Sequence, residues 1–256
     1  MTRRLLIIYL LISFGYGCAE KEFDPNDPKK SFSIAKEPYD NGRHDQAITK
    51  LGEFKSRFPY SQFAVEAELL IANSHFELEH YAEAAAAYQQ FAKLHPKHAK
   101  VDYALFRVGE SYWSEAPEEV DREQEYTEKA VTEWEKLVVK LPDSVYAKKA
   151  EGLIVDGKRR LAESAAFASK FYCKLEIYHA CAYRYIILAR DFPQFADLKK
   201  NALAEAARAL DEVAKQKASD TESDKNIYFK RYSADAIKAQ AGELRRQLAL
   251  MDNASN

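Results

Sequence analysis

The fold of this chain is decided by residues 61–96, which read SQFAVEAELLIANSHFELEHYAEAAAAYQQFAKLHP. Apolar residues recur here at helical spacing and predict two helices, from Gln62 to Leu78 and from Tyr81 to Leu94. A short polar turn at residues 79–80 separates them. A helical hairpin of this kind cannot bury both of its faces alone, so we expect neighbouring copies along the chain.

The hairpin pattern recurs before four prolines, which are Pro59, Pro96, Pro142 and Pro193. Twelve residues before each proline the side chain is small, and eight and five residues before it the side chain is large and apolar. In chain order these positions are Ala47, Leu51 and Phe54, then Ala84, Tyr88 and Phe91, then Ala130, Trp134 and Leu137, then Cys181, Tyr185 and Leu188. A proline there ends a helix, because it lacks the backbone N–H and displaces its predecessor from helical geometry. Unrelated amphipathic helices that share a period by chance are the alternative, and four matching copies argue against it.

The order small, large, large, proline resembles the tetratricopeptide repeat, whose unit is about 34 residues. The four prolines are 37, 46 and 51 residues apart, so extra helix or loop must separate some of the hairpins. Only eight glycines occur, and alternating β-branched residues nowhere run long enough for a strand. We therefore expect an all-α fold, a tetratricopeptide-repeat superhelix of about five interrupted helical hairpins.

The same periodicity predicts the remaining helices. They are Phe32 to Tyr39 and Asp45 to Phe58 in repeat one, Val101 onward and Ala130 to Leu141 in repeat three, Ser144 to Ala162 running on into repeat four at Glu163 to Pro193, and Leu198 to Lys217 with Asn226 to Leu250 in repeat five. We expect Pro38 to kink or shorten the first helix. Gly109 takes the small contact position of repeat three. The acidic segment 115–128 interrupts that repeat and is interpreted as a solvated loop, with a docking arm as the alternative.

The N-terminus carries a signal for export. Two arginines precede an apolar run from Leu5 to Phe14, which is too short to span a bilayer of about 20 residues' depth. Gly17 stands directly before Cys18, and this resembles the lipobox of bacterial lipoproteins, whose cysteine becomes the acylated first residue of the mature protein. We therefore expect a signal peptide over residues 1–17 and lipid attachment at Cys18. An ordinary signal peptide cleaved elsewhere is the alternative.

The segment after the lipobox, residues 18–31, is charged and contains two prolines, so we predict that it is a flexible tether. Removal of residues 1–17 takes away two arginines and changes the formal net charge from -2 to -4. Neither value favours a nucleic-acid partner. The membrane contact is expected through the acyl chains at Cys18.

Motifs for catalysis, metal binding and cofactor binding are absent from the sequence. It contains no HExxH, no phosphate-binding glycine loop and no CxxC pair. His95 and His98 flank a turn, and His75 and His80 flank another, but neither pair has an obvious third ligand. We expect no catalytic residues, no metal and no cofactor, and hence no enzyme.

Cys173 and Cys181 form an ambiguous pair around the turn of repeat four, eight residues apart. An exported chain meets an oxidising compartment, so a disulfide is one interpretation. The preferred interpretation is that Cys181 fills the small contact position that alanine holds in the other copies.

The lipobox, the tether and the interrupted repeats together resemble the BamD family, the lipoproteins of the outer-membrane β-barrel assembly machinery. The more specific matches are Arg57 to Ser61, Val101 to Tyr103, Val120 to Arg122 within the insert, and Arg190 to Pro193. The resemblance implies a non-enzymatic, lipid-anchored protein on the periplasmic face of the outer membrane of a Gram-negative bacterium. As partners it implies unfolded outer-membrane protein substrates, the POTRA domain of a BamA-type insertase, and further lipoproteins of the complex. The alternative is a tetratricopeptide pilotin or envelope-scaffold lipoprotein that recruits a secretin or a cell-wall enzyme.

The resemblance also implies positions for the two binding functions. Repeats one to three, residues 32–142, would hold a substrate groove lined from the first helices by Lys36, Tyr39, Asn73, Phe76, Glu110 and Trp113. Repeats four and five, residues 143–250, would dock the partner, and residues 251–256 would form a polar tail. Arg184, nine residues before Pro193, matches an arginine that contacts the POTRA domain. The alternatives are that the groove aromatics are core residues between hairpins and that Arg184 is a surface arginine without a role.

Overall fold

The computed structural model describes residues 22–219 and 232–253, and ten helices lie within these ranges. They are α1 (Pro28–Asp40), α2 (His44–Arg57), α3 (Gln62–Glu77), α4 (Tyr81–Leu94), α5 (Val101–Glu115), α6 (Glu125–Lys140), α7 (Val145–Lys174), α8 (Tyr178–Asp191), α9 (Ala196–Ser219) and α10 (Ala234–Asn253). No strand occurs in the described ranges, so the predicted all-α fold of helical hairpins is confirmed. The predicted signal peptide and Cys18 lie outside the described residues.

Helix α1 is longer than predicted and takes in the end of the predicted tether, residues 18–31. It begins at Pro28, a residue favoured at the first helical position, and the Asp27 carboxylate accepts a hydrogen bond from a first-turn N–H at 2.9 Å. Pro38 does not end the helix, which continues to Asp40. This proline is buried in the last turn, so the one hydrogen bond that its nitrogen cannot donate is lost close to the point where the helix ends.

The described chain forms two compact units that divide within α4, between Ala87 and Tyr88. In the first unit, α1, α2 and α3 contact one another around a core centred on Phe32, Leu51 and Phe54. Alanines at the contacts between these helices are fully buried, and their small side chains let the backbones approach closely.

In the second unit, α5, α6 and α7 pack around Trp134, which is fully buried. Its indole Nε1 donates a hydrogen bond to the carbonyl oxygen of Phe106 at 3.1 Å, and the two rings stack with centroids 6.2 Å apart. Gly109 lies directly against the indole, where a Cβ would collide with the ring. The small contact position expected for this glycine is therefore explained by the bulk of the tryptophan opposite.

The C-terminal part of the second unit is built on an alanine-rich core shared by α8, α9 and α10. Its fully or almost fully buried members include Cys181, Ala182, Leu188, Ala202, Ala206, Ala209, Leu210, Ile237 and Ala241. Helix α7 runs unbroken from Val145 to Lys174, as the predicted continuation into repeat four requires. The predicted last helix starts at Asn226, but residues 220–231 lie outside the described ranges, and α10 begins at Ala234.

The acidic insert is shorter and more ordered than predicted. Of the predicted segment 115–128, only residues 116–124 lie between the two helices. Gln124 is buried, and its side-chain amide donates hydrogen bonds to the carbonyl oxygens of Glu119 at 2.9 Å and Arg122 at 3.2 Å. A loop whose carbonyls are held by a buried side chain has a defined conformation.

Three of the hairpin turns use the same backbone conformation. Gly42, Glu79 and Glu176 have φ values of +70°, +60° and +57°. Each stands five residues before the small contact residue of its second helix, so the turns are equivalent in register. A left-handed residue at the end of the first helix reverses the chain, and glycine adopts this conformation with the least strain.

Candidate protein-binding surfaces

In the first unit, the structure brings Tyr39 on α1 next to Asn73 on α3. The Asn73 side-chain amide donates a hydrogen bond to the Tyr39 hydroxyl oxygen at 3.2 Å. Lys36, one turn before Tyr39, forms an ion pair with Asp40 at 2.7 Å. Both tyrosine and asparagine are half-buried, so they lie between the core and the solvent.

The aromatic residues of this surface contact further rings on their own hairpins. Phe76 is half-buried and packs edge to face against Tyr81, with ring centroids 5.2 Å apart. Tyr39 contacts His44 in the same way, at 5.5 Å. Each predicted groove aromatic is therefore held in place by a neighbouring ring while part of its surface remains accessible.

His75 lies on α3 and is a half-buried titratable group near this surface. Its Nδ1 atom is buried and has no hydrogen-bond partner. Burial lowers the pKa of His75 below its ordinary value, although the Glu83 carboxylate acts in the opposite direction. The imidazole is therefore neutral at pH 7. Within residues 22–219 and 232–253, no group of three or more His, Cys, Asp or Glu side chains is placed to hold a metal ion.

In the second unit, the Glu110 carboxylate is paired with two cations. Arg107 lies 3.2 Å from one of its oxygens and Lys149 lies 3.3 Å from the other. The Arg107 guanidinium also donates a hydrogen bond to the Tyr88 hydroxyl at 3.2 Å and stands over the ring of Tyr103. Burial, reinforced by Tyr103, raises the pKa of Tyr88 well above its ordinary value, so the phenol stays neutral. The contacts of Glu110 are those of a packing network between helices.

Trp113, the other groove position predicted for this unit, lies beneath Arg160 of α7. The guanidinium carbon stands 4.0 Å from the indole centroid, within cation–π range. Arg160 also donates a hydrogen bond to the carbonyl oxygen of Pro117 at 3.3 Å. Trp134 lies 5.8 Å from Trp113 between ring centroids. One face of the Trp113 indole is therefore covered within the unit, and the arginine that covers it also holds the start of the insert.

Arg184 is exposed on α8, and its guanidinium is held over an aromatic ring. The guanidinium carbon lies 4.5 Å from the centroid of Tyr172, and Nη2 donates a hydrogen bond to the tyrosine hydroxyl at 3.4 Å. No carboxylate among the described residues forms an ion pair with Arg184, whereas Arg190 on the same helix is paired with Asp191 at 2.7 Å. A positioned guanidinium without an acidic partner is available to a carboxylate from another molecule.

A cavity of about 330 Å³ adjoins Arg184. Its lining includes Ala165, Ser169, Tyr172, Tyr183 and Ile187. Tyr183, one of these lining residues, is half-exposed. The lining therefore combines apolar side chains with two phenols and the Arg184 guanidinium. Such a surface fits the rim of a protein–protein contact.

Cys173 and Cys181 are joined by a disulfide next to this cavity, with their Cα atoms 5.1 Å apart. Cys181 is also fully buried at the position where the other copies have alanine. Cys181 therefore closes the turn through its disulfide and also fills the small contact position. The bond links the last turn of α7 to the first turn of α8, which are the helices that carry Tyr172 and Arg184.

Several residues of these surfaces were missed from the sequence. Arg160 and Tyr172 act through contacts made across the fold, which no local pattern indicates. Three further residues, Phe167, Phe171 and Leu175, expose about half of their surfaces along the end of α7. Their spacing of four residues is typical of one helix face and could have been detected in the sequence.

The helical hairpins of each unit present aromatic and cationic side chains on their surface, as expected of a repeat protein that binds other proteins. Among the described residues, no helix is both long enough and apolar enough to traverse a bilayer.

The chain belongs to the family described as YfiO, outer membrane lipoprotein, which matches residues 24–225. The resemblance found in the sequence is therefore confirmed. The outer membrane protein assembly factor BamD of Vibrio cholerae serotype O1 is 25% identical over 203 residues, which are 75% of this chain and 84% of that protein. The protein of the same name from Neisseria gonorrhoeae is 26% identical over 165 residues, 61% of this chain and 62% of that protein.

Among solved structures, the chain is similar to the TPR2AB domain of yeast Sti1 in complex with pHSP90. The match covers 88% of this chain and 86% of that chain, with a TM-score of 0.43 and 14% sequence identity.

Proposed function

We propose that this protein is a non-enzymatic, lipid-anchored component of the machinery that assembles β-barrel proteins in the outer membrane. The family match over residues 24–225 carries the proposal. Relatives that share about a quarter of their residues with the chain are named outer membrane protein assembly factors. In this function the protein binds unfolded outer-membrane proteins and couples them to the barrel insertase.

The substrate-binding part of the proposal rests on the first unit. Tyr39 and Phe76 are half-buried aromatics, and Asn73 lies beside them with a side-chain amide. Aromatic surfaces can take up the apolar side chains of an extended peptide, while an amide or the Lys36 ammonium can bind its backbone or its terminal carboxylate.

The insertase-docking part of the proposal rests on Arg184. Its guanidinium is exposed, stacked on Tyr172 and without an ion pair among the described residues. Because a planar guanidinium pairs with a carboxylate through two parallel hydrogen bonds, an acidic side chain of the POTRA domain is the expected partner.

Charge reversal at Arg184 tests the docking part. We expect Arg184→Glu to weaken binding of the POTRA domain by the soluble chain at least tenfold, since a hydrogen bond to a charged group contributes roughly 1.5–3 kcal/mol and about 1.4 kcal/mol is tenfold in affinity. Arg190→Glu is the matched control, because Arg190 is exposed on the same helix but already paired with Asp191. Equal affinities of the two variants, measured by calorimetry, would remove Arg184 from the contact.

Photo-cross-linking tests the substrate part. A photoreactive amino acid in place of Phe76 should capture unfolded outer-membrane proteins in cells. The control position is Tyr60, which is fully exposed at the end of the first hairpin. Capture at Tyr60 as strong as at Phe76 would argue against a groove, and capture of secretin subunits instead would favour a pilotin.

A further inference from the structure

The segment just before α1 is folded onto the first hairpin. Phe23 packs edge to face against Phe54 of the buried core, with ring centroids 6.3 Å apart. Two cations of α2 flank the same ring, with Lys50 Nζ at 5.8 Å and the Arg57 guanidinium carbon at 5.6 Å from its centroid. The Phe23 ring is therefore held on three sides by α2.

Hydrogen bonds fix the backbone that follows Phe23. The carbonyl oxygen of Asp24 accepts a hydrogen bond from the Ser31 hydroxyl at 2.8 Å, and Ser31 is fully buried. The same carbonyl accepts the Asp27 N–H at 3.2 Å, and the Asp24 carboxylate accepts the Asn26 N–H at 3.0 Å. We call residues 23–27 the clamp loop, because its residues contact the first hairpin or form hydrogen bonds with one another.

The clamp loop shortens the connection to the lipid anchor. The predicted tether ends at Ser31, but the clamp begins at Phe23, five residues after Cys18. An extended chain spans about 3.5 Å per residue, so Phe23 can lie no farther than roughly 17 Å from Cys18. If the chain were unattached as far as the buried core residue Phe32, the distance from Cys18 to Phe32 could reach roughly 50 Å.

We infer that Phe23 is a positioning residue that holds the first hairpin against the lipid surface in which Cys18 is anchored. This inference rests on the lipid attachment at Cys18 that the proposed function assumes. This end of the hairpin therefore faces the bilayer surface. The chain between Cys18 and Phe23 spans at most roughly 17 Å, and a partner protein of ordinary size does not fit between the hairpin and the membrane at that distance. The start of α1 and the last turn of α2, which carries Arg57, then lie close to the membrane, and Tyr39 lies at the far end of the hairpin.

Energy transfer between the hairpin and a labelled bilayer tests the inference. The lipidated chain carries a donor dye at Ser56→Cys, an exposed position of α2, in vesicles of phosphatidylethanolamine and phosphatidylglycerol that contain acceptor-labelled lipid. Insertion of ten glycine and serine residues after Glu20 should increase the mean distance by about 10 Å, from flexible-chain scaling. Phe23→Ala should also increase it, because the clamp opens.

The controls separate the clamp from the anchor and from the fold. Asn26→Ala removes an exposed side chain of the same loop and should leave the energy transfer unchanged. The insertion variant keeps Phe23 and the whole core, so its result does not depend on how well Phe23→Ala folds. Energy transfer that is the same in the wild type, Phe23→Ala and the insertion variant would overturn the inference.

The anchor itself is checked by mass spectrometry of the mature chain. A chain without acyl groups would also overturn the inference. That result would leave the Arg184 experiment unaffected, because it uses soluble protein. Failure of the clamp and failure of the docking proposal are thus separate outcomes.

Discussion

Replacement of Gly109 by alanine tests the packing on which the second unit depends. A Cβ at this position would collide with three atoms of the Trp134 indole, Nε1, Cδ1 and Cε2. The indole cannot easily move away, because Trp134 is fully buried and its Nε1 donates a hydrogen bond to Phe106. The added methyl group must therefore displace either the ring or the helix.

The size of the effect follows from three contributions to the free energy of unfolding. Overpacking of a filled core costs about 1–3 kcal/mol. Loss of the buried indole hydrogen bond costs about 1–3 kcal/mol. Alanine gains about 1 kcal/mol over glycine inside a helix, which offsets part of this cost. The expected net loss is about 3 kcal/mol, or roughly 6–12 °C in melting temperature for a unit of this size.

Gly152→Ala is the matched control for Gly109→Ala. Gly152 is exposed in α7, and a Cβ there would meet nothing within 4 Å, so this change should raise stability by up to about 1 kcal/mol. The two tryptophans of the chain, Trp113 and Trp134, both belong to the second unit, so indole fluorescence during thermal or urea unfolding reports on it. Equal stability of Gly109→Ala and the wild type would refute the close packing of Gly109 against Trp134.

Three further changes test individual contacts. Reduction of the Cys173–Cys181 disulfide should lower the free energy of unfolding in urea by about 2.5 kcal/mol, from the entropy of a loop of this length; replacing Cys173 by serine and the buried Cys181 by alanine should have the same effect. Arg160→Ala should lower the free energy of unfolding by about 1–2 kcal/mol through loss of its cation–π contact with Trp113, and should increase hydrogen exchange in the insert. Arg160→Lys should restore part of the lost stability. Because burial lowers the pKa of His75, the unfolded chain binds the proton more tightly, so stability should fall as the pH drops through about 6.5. His75→Gln should flatten this dependence in acid unfolding, and an unchanged profile would contradict it.

The helices could be predicted from the sequence because their signals are local. The positions of small and large residues before each proline repeat at fixed offsets, and the helices of repeat two have the predicted bounds to within one residue. The boundaries that differ depend on local features that carry no helical period. Helix α1 starts early because Asp27 caps it and Pro28 stands at its first position, and the insert is short because the Gln124 side chain binds the carbonyl oxygens of Glu119 and Arg122. Residues that meet only in the fold leave no periodic signal either.

The candidate surfaces were less predictable for the same reason. The sequence places Glu110 and Trp113 on the expected faces of a first helix, but it does not show which side chains of α7 reach them. In the structure Lys149 pairs with the carboxylate and Arg160 covers the indole. Phe167 differs, because the four-residue spacing of its exposed row is visible in the sequence although the row was not predicted.

Arg184 and Glu110 differ in a way that separates a binding residue from a packing residue. Removing the Glu110 carboxylate would remove one ion pair each from Arg107 and Lys149, so its cost would appear in the stability of the unit. Arg184 is exposed and stacks on Tyr172, so its replacement should leave the melting temperature within about 1–2 °C of the wild type, as for surface changes of about 0.5 kcal/mol. Weak POTRA binding together with an unchanged melting temperature therefore identifies a contact with the partner, whereas loss of both would place Arg184 among the residues that hold α7 and α8 together.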